Sequence, residues 1–194
     1  GPPARIGALA TLAKIEAHAG IRKYYPALAE AAGGAATPQI RNMATLGGNI
    51  AQRPRCWYFR QAEFDCRKKG GDICCCVHPS ATSDALMAYG ARLETVSAKG
   101  KRSIPLDQFF VLPDEDPTRE NGLGPGEIIE SVVIPPPASG SRSSYKKLKE
   151  KESFDWPLVE ACVALTVSGG AIREARVVLG SVSPVPRRAL AAEK

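Results

Sequence analysis

Long apolar runs are absent from the chain: no stretch approaches the roughly 20 residues a bilayer-crossing helix needs, which excludes an integral membrane protein built on such helices. Aromatic residues amount to 6%, too sparse for the stacking platforms of single-strand nucleic-acid binders. No GxGxxG and no Walker A sequence occurs, so neither Rossmann nor P-loop nucleotide binding can be argued. A Ser/His/Asp set, a paired-carboxylate site, a nucleic-acid motif and a repeat of fixed period are missing as well. Neither sign of charge dominates. Lys plus Arg number 26 against 20 Asp plus Glu, and the net +6 suits anionic partners such as phosphates without implying nucleic acid.

The remainder is ordinary globular material. The 194 residues, 44% hydrophobic and 24% charged, suffice for one domain or for a small domain and part of a second, with a real core. No signal peptide precedes Gly1, the Gly-Pro start reads as a cleavage scar, and residues 191–194 stop inside a helix start, so the sequence reads as a fragment.

Cysteine is the informative residue. Five of the six, Cys56, Cys66, Cys74, Cys75 and Cys76, crowd within 21 positions, and Cys162 stands apart in an apolar strand as a core residue. Adjacent cysteines do not readily pair with one another, so a secreted disulfide framework fits badly and thiolates reserved for metal in a reduced compartment fit better. Thiolates are the soft ligands of iron-sulfur clusters, and Arg53, Arg55, Arg60, Arg67, Lys68 and Lys69 would lower thiol pKa values and offset cluster charge. Nine residues between Cys56 and Cys66 and seven between Cys66 and Cys74 match no zinc ribbon and no bacterial ferredoxin run. Zinc stays open as a less favoured ligand, as do free buried thiols. His78, before a proline, reads as a loop residue making one hydrogen bond, and His18 as a helix C-terminal residue.

Periodicity predicts helices over 11–18, with Gly20 as a stop, and over 26–32, opened by Pro26. Thr37-Pro38 caps a short turn, and 42–50, with Gly47-Gly48, reads as a tight loop. Further on, 83–89 and 106–111 read as helical, 92–97 and 102–104 as a hairpin, 114–126 as a charged Gly/Pro-rich loop and 128–134 as a strand. Pro135-Pro136-Pro137 and the residues after it are the strongest linker signal, giving domains 1–139 and 140–194. Three strands follow at 144–149, 159–168 and 171–179, the last two joined at Gly169-Gly170.

Thr45-Leu46-Gly47-Gly48-Asn49 offers small residues whose backbone amides could approach a diphosphate, beside the plainer reading of a Gly-Gly turn between helix and strand. The run at 146–151, with Glu152 and Asp155, reads as a solvated strand and loop.

The fourteen residues Thr37-Pro38-Gln39-Ile40-Arg41-Asn42-Met43-Ala44-Thr45-Leu46-Gly47-Gly48-Asn49-Ile50 resemble the second flavin-binding motif of the FAD subunit of molybdenum hydroxylases, the xanthine dehydrogenase family. Arg53-Pro54-Arg55-Cys56-Trp57-Tyr58-Phe59-Arg60 resembles the branch whose FAD subunit also carries a 4Fe-4S cluster, as in aldehyde oxidoreductases and 4-hydroxybenzoyl-CoA reductases. Val77-His78-Pro79-Ser80, Gly124-Pro125-Gly126-Glu127-Ile128-Ile129 and Ser144-Tyr145-Lys146 continue the likeness in family order over nearly the whole chain.

The resemblance implies an α+β fold, a PCMH-type (vanillyl-alcohol-oxidase-like) FAD-binding lobe followed by the start of a CO-dehydrogenase-flavoprotein C-terminal domain with a three-stranded antiparallel sheet plus helices. It implies that Thr45, Leu46, Gly47, Gly48 and Asn49 hold the FAD diphosphate, that Ile129 neighbours the flavin and that Lys146 reaches it. Residues 147–155 fall where the family has a mobile charged loop near the isoalloxazine. Cys56, Cys66, Cys74 and one of Cys75 or Cys76 match the cluster ligands. The family's first Gly-rich FAD motif is absent, and Ala81 stands where relatives have Asp, leaving Ser80, Ser83 or Asp84 for that polar role. The stretch before His-Pro-Ser is shorter than in relatives, so that Cys74 abuts Cys75.

The implied function is electron transfer through FAD between iron-sulfur clusters and an acceptor, with no substrate proton-transfer catalyst in this chain. Partners would be a molybdenum-cofactor subunit and a 2Fe-2S subunit. The expected compartment is the cytoplasm, with the periplasm as the alternative for an exported complex. The rival reading is a non-redox assembly module held by structural zinc, docking a partner through its basic segment.

Overall fold

The computed structural model describes residues 3–152 and 154–194. Short helices dominate the first half because the sequence supplies a capping residue every few positions. Thr11 caps α1 (Leu12–Ala17) by accepting from the Lys14 amide, and Thr37 caps α4 (Pro38–Met43) by accepting from Ile40. His18 ends α1 and starts α2 (Ala19–Tyr24). Its backbone is extended and its Nδ1 accepts from the Ile21 amide at 3.3 Å, so Gly20 lies inside α2 and is not the stop the sequence suggested. The ring sits over Gly20, where a Cβ would meet His18 Cε1 at 3.1 Å.

Pro26 opens α3 (Pro26–Gly34) as expected. The predicted loop at 42–50 is instead a second capped turn, α5 (Leu46–Ile50), with Thr45 as its N-cap. Two threonines eight residues apart each start a helix here, and the Gly pair does not prevent it because one turn costs little backbone entropy once Leu46 and Ile50 are buried. The cysteine segment holds one turn of helix, α6 (Trp57–Arg60), and a 3-10 turn at Arg67–Lys69. α7 (Ala81–Ala88) follows, buried at every position.

The first sheet runs β1-β4-β2-β3, all antiparallel: β1 (Ala4–Gly7), β2 (Arg92–Ser97), β3 (Gly100–Pro105) and β4 (Ile128–Ile134). β1 was not legible in the sequence, because four residues are too few to show alternation and its pairing partner, Ile134 for Ala4, is 130 positions away. The expected helix at 106–111 is one 3-10 turn, Leu106–Gln108.

The second sheet is a meander, β5 (Ser141–Leu148), β6 (Val159–Ser168) and β7 (Ala171–Gly180), with a two-residue edge strand β8 (Arg187–Arg188) added to the expected three. Gly169 and Gly170 turn it with φ of +60° and +77°, the left-handed pair a type I′ hairpin requires. α3 packs on β5, and α7 packs on α3, β6 and β7. A continuous buried cluster therefore runs from Leu12, Leu28 and Leu86 to Tyr145, Cys162 and Val178, crossing the proline linker. No helix among the described residues is long and apolar enough to cross a membrane.

Candidate functional site

A cleft of about 670 Å³ separates α4 and α5 from β5, β6 and the turn before β6. Ile40, Met43, Thr45, Gly48 and Asn49 line one side, and Lys147, Phe154, Trp156 and Glu160 the other. The sequence-predicted residues therefore divide. Thr45, Gly48 and Asn49 face the cleft, whereas Leu46 and Gly47 are buried beneath it.

Gly47 is small for a packing reason: a Cβ there would stand 2.9 Å from Ala8 Cβ and 3.3 Å from the Ala8 carbonyl oxygen. The backbone amides of this turn already have partners inside the fold. Leu46 N donates to Ala10 O and Gly47 N to Ala8 O, each at 2.9 Å, Gly48 N donates to Thr45 Oγ1 at 3.2 Å, and Asn49 N to Thr45 O at 2.9 Å. Helix formation and the β1–α1 connection consume these donors. What the wall offers a ligand is side-chain chemistry, from Thr45, Asn49, Gln52 and Arg55.

Asn49 is held from behind. Its Oδ1 accepts from Ser80 Oγ at 2.7 Å and from Thr82 Oγ1 at 2.5 Å, which leaves its Nδ2 as the donor. Ser80 is buried, bonds Ser83 Oγ at 2.7 Å and caps α7, so it reaches the cleft only through Asn49. Asp84 is buried one turn further along α7 and is not on the cleft wall. Ile129 is half-buried on β4, packed against the core and likewise outside the cleft lining.

Of the two neighbouring lysines, Lys146, the one the resemblance points to, is not part of the cleft lining. Alternation along β5 buries Tyr145 and turns Lys147 to the same face, where it lines the cleft and donates through Nζ to Gly34 O at 3.0 Å; Lys146 is exposed on the other face. Burial holds the Lys147 ammonium below its ordinary pKa. Trp156, not among the residues expected from sequence, also lines the cleft, 61% exposed and with the Arg55 guanidinium 5.9 Å from its ring centre. An aromatic beside a proline in a charged run was the available signal.

None of the six cysteines is in a disulfide. Cys66 and Cys76 are buried, Cys56 and Cys74 half-buried and Cys75 exposed. Burial, then the charges of Cys56 and Cys74, push the Cys76 thiol up to about 12. Cys56 and Cys75 border a groove of about 240 Å³ that shares Arg55, Pro79 and Trp156 with the cleft. Among the described residues, no three or more His, Cys, Asp or Glu side chains stand in metal-holding geometry. Three cations of the segment are already paired: Lys68 meets Glu120 at 2.9 Å, Arg53 meets it at 3.1 Å, and Arg67 meets Asp114 at 2.9 Å.

His78 accepts from the Ser80 amide at 3.3 Å and stacks edge-on against Phe110, with ring centres 4.6 Å apart. Burial lowers its pKa to about 4. Cys162 is fully buried in β6, as expected of a core residue.

Residues 3–137 match the family described as the FAD binding domain in molybdopterin dehydrogenase. The chain belongs to this family. Residues 143–194 match the CO dehydrogenase flavoprotein C-terminal domain, so the expected α+β fold and order of parts are met. The aldehyde oxidoreductase FAD-binding subunit of Escherichia coli K12 is 33% identical over 97% of this chain and 64% of its own length. The carbon monoxide dehydrogenase medium chain of Hydrogenophaga pseudoflava is 30% identical over 84% of this chain and 47% of its own.

A solved carbon monoxide dehydrogenase from the same organism, lacking the Mo-pyranopterin moiety of its cofactor, superposes with a TM-score of 0.77 at 28% identity, covering 99% of this chain and 57% of that one. The chain thus spans about half to two thirds of the length of these relatives. Membership in a family of FAD-containing oxidoreductase subunits does not favour the zinc-held docking module.

Proposed function

We propose that this chain is the flavin-holding, electron-transfer part of a molybdenum-dependent hydroxylase or dehydrogenase. Residues 1–139 form the second lobe of its FAD domain, and residues 140–194 begin the C-terminal domain. One observation carries the reading: Thr45, Gly48 and Asn49 of the family's flavin motif line the same cleft as Lys147 and Trp156 from the other half of the chain.

When bound, FAD supplies the ability to take electrons from one centre and give them to another singly or in pairs. The chain's own residues bind and shield. Asn49 Nδ2 and the Thr45 hydroxyl donate to an anionic group, Lys147 adds a nearby cation, and Ile40, Met43 and Trp156 exclude water from an aromatic ring. Because the amides of residues 46–49 are hydrogen-bonded inside the fold, the diphosphate in this reading rests on side chains more than on that backbone. Fluorescence titration of the full chain with FAD tests this. Saturable quenching is expected, and no binding at micromolar protein would reject the reading.

The cysteine segment extends the proposal to a 4Fe-4S cluster held by Cys56, Cys66, Cys74 and one of Cys75 or Cys76. The donor chemistry supports it: five soft thiols fall within one 21-residue segment rich in Lys and Arg. Anaerobically prepared protein should then carry about four irons per chain by the cluster's stoichiometry. Stoichiometric zinc without iron would exclude it. A molybdenum subunit and a 2Fe-2S subunit would complete the electron path, in the cytoplasm or, for an exported complex, the periplasm.

A further inference from the structure

Behind the cleft wall lies a pair of carboxyl groups that the electron-transfer reading does not use. Asp84 projects from the middle of α7 at 1% exposure, and its Oδ2 has no hydrogen-bond partner among the described residues. Opposite it, on β6, Glu160 is 2% exposed and forms part of the cleft wall. The two converge over Gly180 at the end of β7: a Cβ there would collide with Asp84 Oδ2 and stand 2.9 Å from Glu160 Oε2. The glycine makes the space into which both carboxyls reach.

We propose that Asp84 and Glu160 hold one proton between them, as a proton-linked brace joining α7 to the second sheet, and that Glu160 thereby sets the charge on the cleft wall. Each surrounding element contributes to this. From β5, the Tyr145 hydroxyl donates to Glu160 Oε1, and from the end of β7 Ser181 Oγ donates to Glu160 Oε2 at 3.0 Å, so the Glu160 oxygens are well supplied with donors and the Asp84 Oδ2 with none.

From β6 comes the Cys162 thiol, and from α3 the Glu30 carboxylate, whose Oε2 already accepts from the Tyr145 amide at 2.6 Å and Ser144 Oγ at 3.1 Å. On β7, Arg176 reaches past the end of α7 to Gly90. Lys147, directly across from Glu160 in the β5–β6 register, is the cation that faces it, but its Nζ is directed to the Gly34 carbonyl. Two ionised carboxylates side by side in a dry site repel strongly, and a proton on one of them both removes the repulsion and gives Asp84 a donor. Burial and the charge of Glu160 push the Asp84 carboxyl well up, and burial raises Glu160, in agreement with that geometry.

Loss of the shared proton to solvent leaves two negative charges, one of them on the cleft wall. An anionic ligand is then disfavoured, so the consequence for FAD rests on the proposed function, while the proton itself does not.

The test compares wild type with Asp84→Asn, which keeps the shape and offers Glu160 an amide donor. Because the folded state binds the extra proton, wild-type stability falls as pH rises. The thermal midpoint of wild type should therefore drop relative to the variant from pH 5 to 9, and FAD affinity should fall more steeply with pH in wild type, by up to about tenfold per pH unit.

Parallel midpoint curves overturn the brace whatever FAD does. Diverging curves with no FAD binding at any pH uphold the brace and reject the flavin reading. Diverging curves with equal pH dependence of FAD affinity overturn the link to the cleft. Should the variant not fold, the infrared spectrum of wild type decides: a protonated carboxyl band persisting at pH 8 supports the pair, and its absence sinks it.

Discussion

Asn49 accepts through Oδ1 from the hydroxyl of Ser80 at 2.7 Å, a bond that ties the flavin motif on α5 to the N-cap of α7. With Thr82 donating to the same oxygen, the carboxamide is fixed with its NH₂ outward. Asn49→Ala strands the buried Ser80 and Thr82 hydroxyls and should cost about 1–3 kcal/mol, read by urea unfolding. Asn49→Asp keeps the acceptor but removes the donor and adds negative charge. Its stability should stay near wild type while FAD affinity drops at least about tenfold, the value of a hydrogen bond to a charged group.

The two glycines of the motif should separate by readout. Gly47→Ala drives a methyl into Ala8 and the connection after β1, and destabilises the fold by about 1–3 kcal/mol. Gly48→Ala places a Cβ 3.0 Å from Thr45 Oγ1 and disturbs the cap of α5, costing about 1 kcal/mol, yet it stands on the cleft wall and should weaken FAD more. Equal losses of stability and FAD binding in both variants would contradict this division.

Neighbouring lysines on β5 give a sharper contrast. Lys147→Ala removes the cleft-facing cation and should weaken FAD binding several-fold or shift the bound flavin's potential. Lys146→Ala acts on the opposite, exposed face and should leave both unchanged. A flavin response confined to Lys146 would mean that β5 presents its other face to the cofactor.

Acid should loosen the junction at His78. Its folded pKa of about 4 lies below the unfolded value near 6.5, so the unfolded chain takes up the proton first as pH falls. The stability is fully present above about pH 6.5 and is lost as pH drops toward 4, by up to about 3 kcal/mol. Thermal midpoints over this window should fall more steeply in wild type than in His78→Gln, and equal slopes would remove His78 as the cause.

Local signals carried much of the fold. Pro26, Thr37-Pro38 and Gly169-Gly170 act over three or four residues, and the structure places helix starts and a hairpin turn at each. Thr45 shows the limit: it is a capping residue of the same kind, yet the glycines after it read as a loop, because nothing local says that Leu46 and Ile50 are buried. β1 escaped notice for the same reason, its strand existing only because β4 pairs with it.

By itself the sequence determined the flavoprotein family and the α+β order of parts, and it singled out the motif from Thr45 to Asn49 as a candidate. Tertiary structure alone decided which members of that motif face outward, that Lys147 rather than Lys146 turns to the cleft, that Trp156 and Glu160 belong to its wall, and that Asp84 meets Glu160 over Gly180. The reason is that motifs are written in contiguous residues, whereas a cleft wall depends on strand register and on which polar groups the fold has already paired.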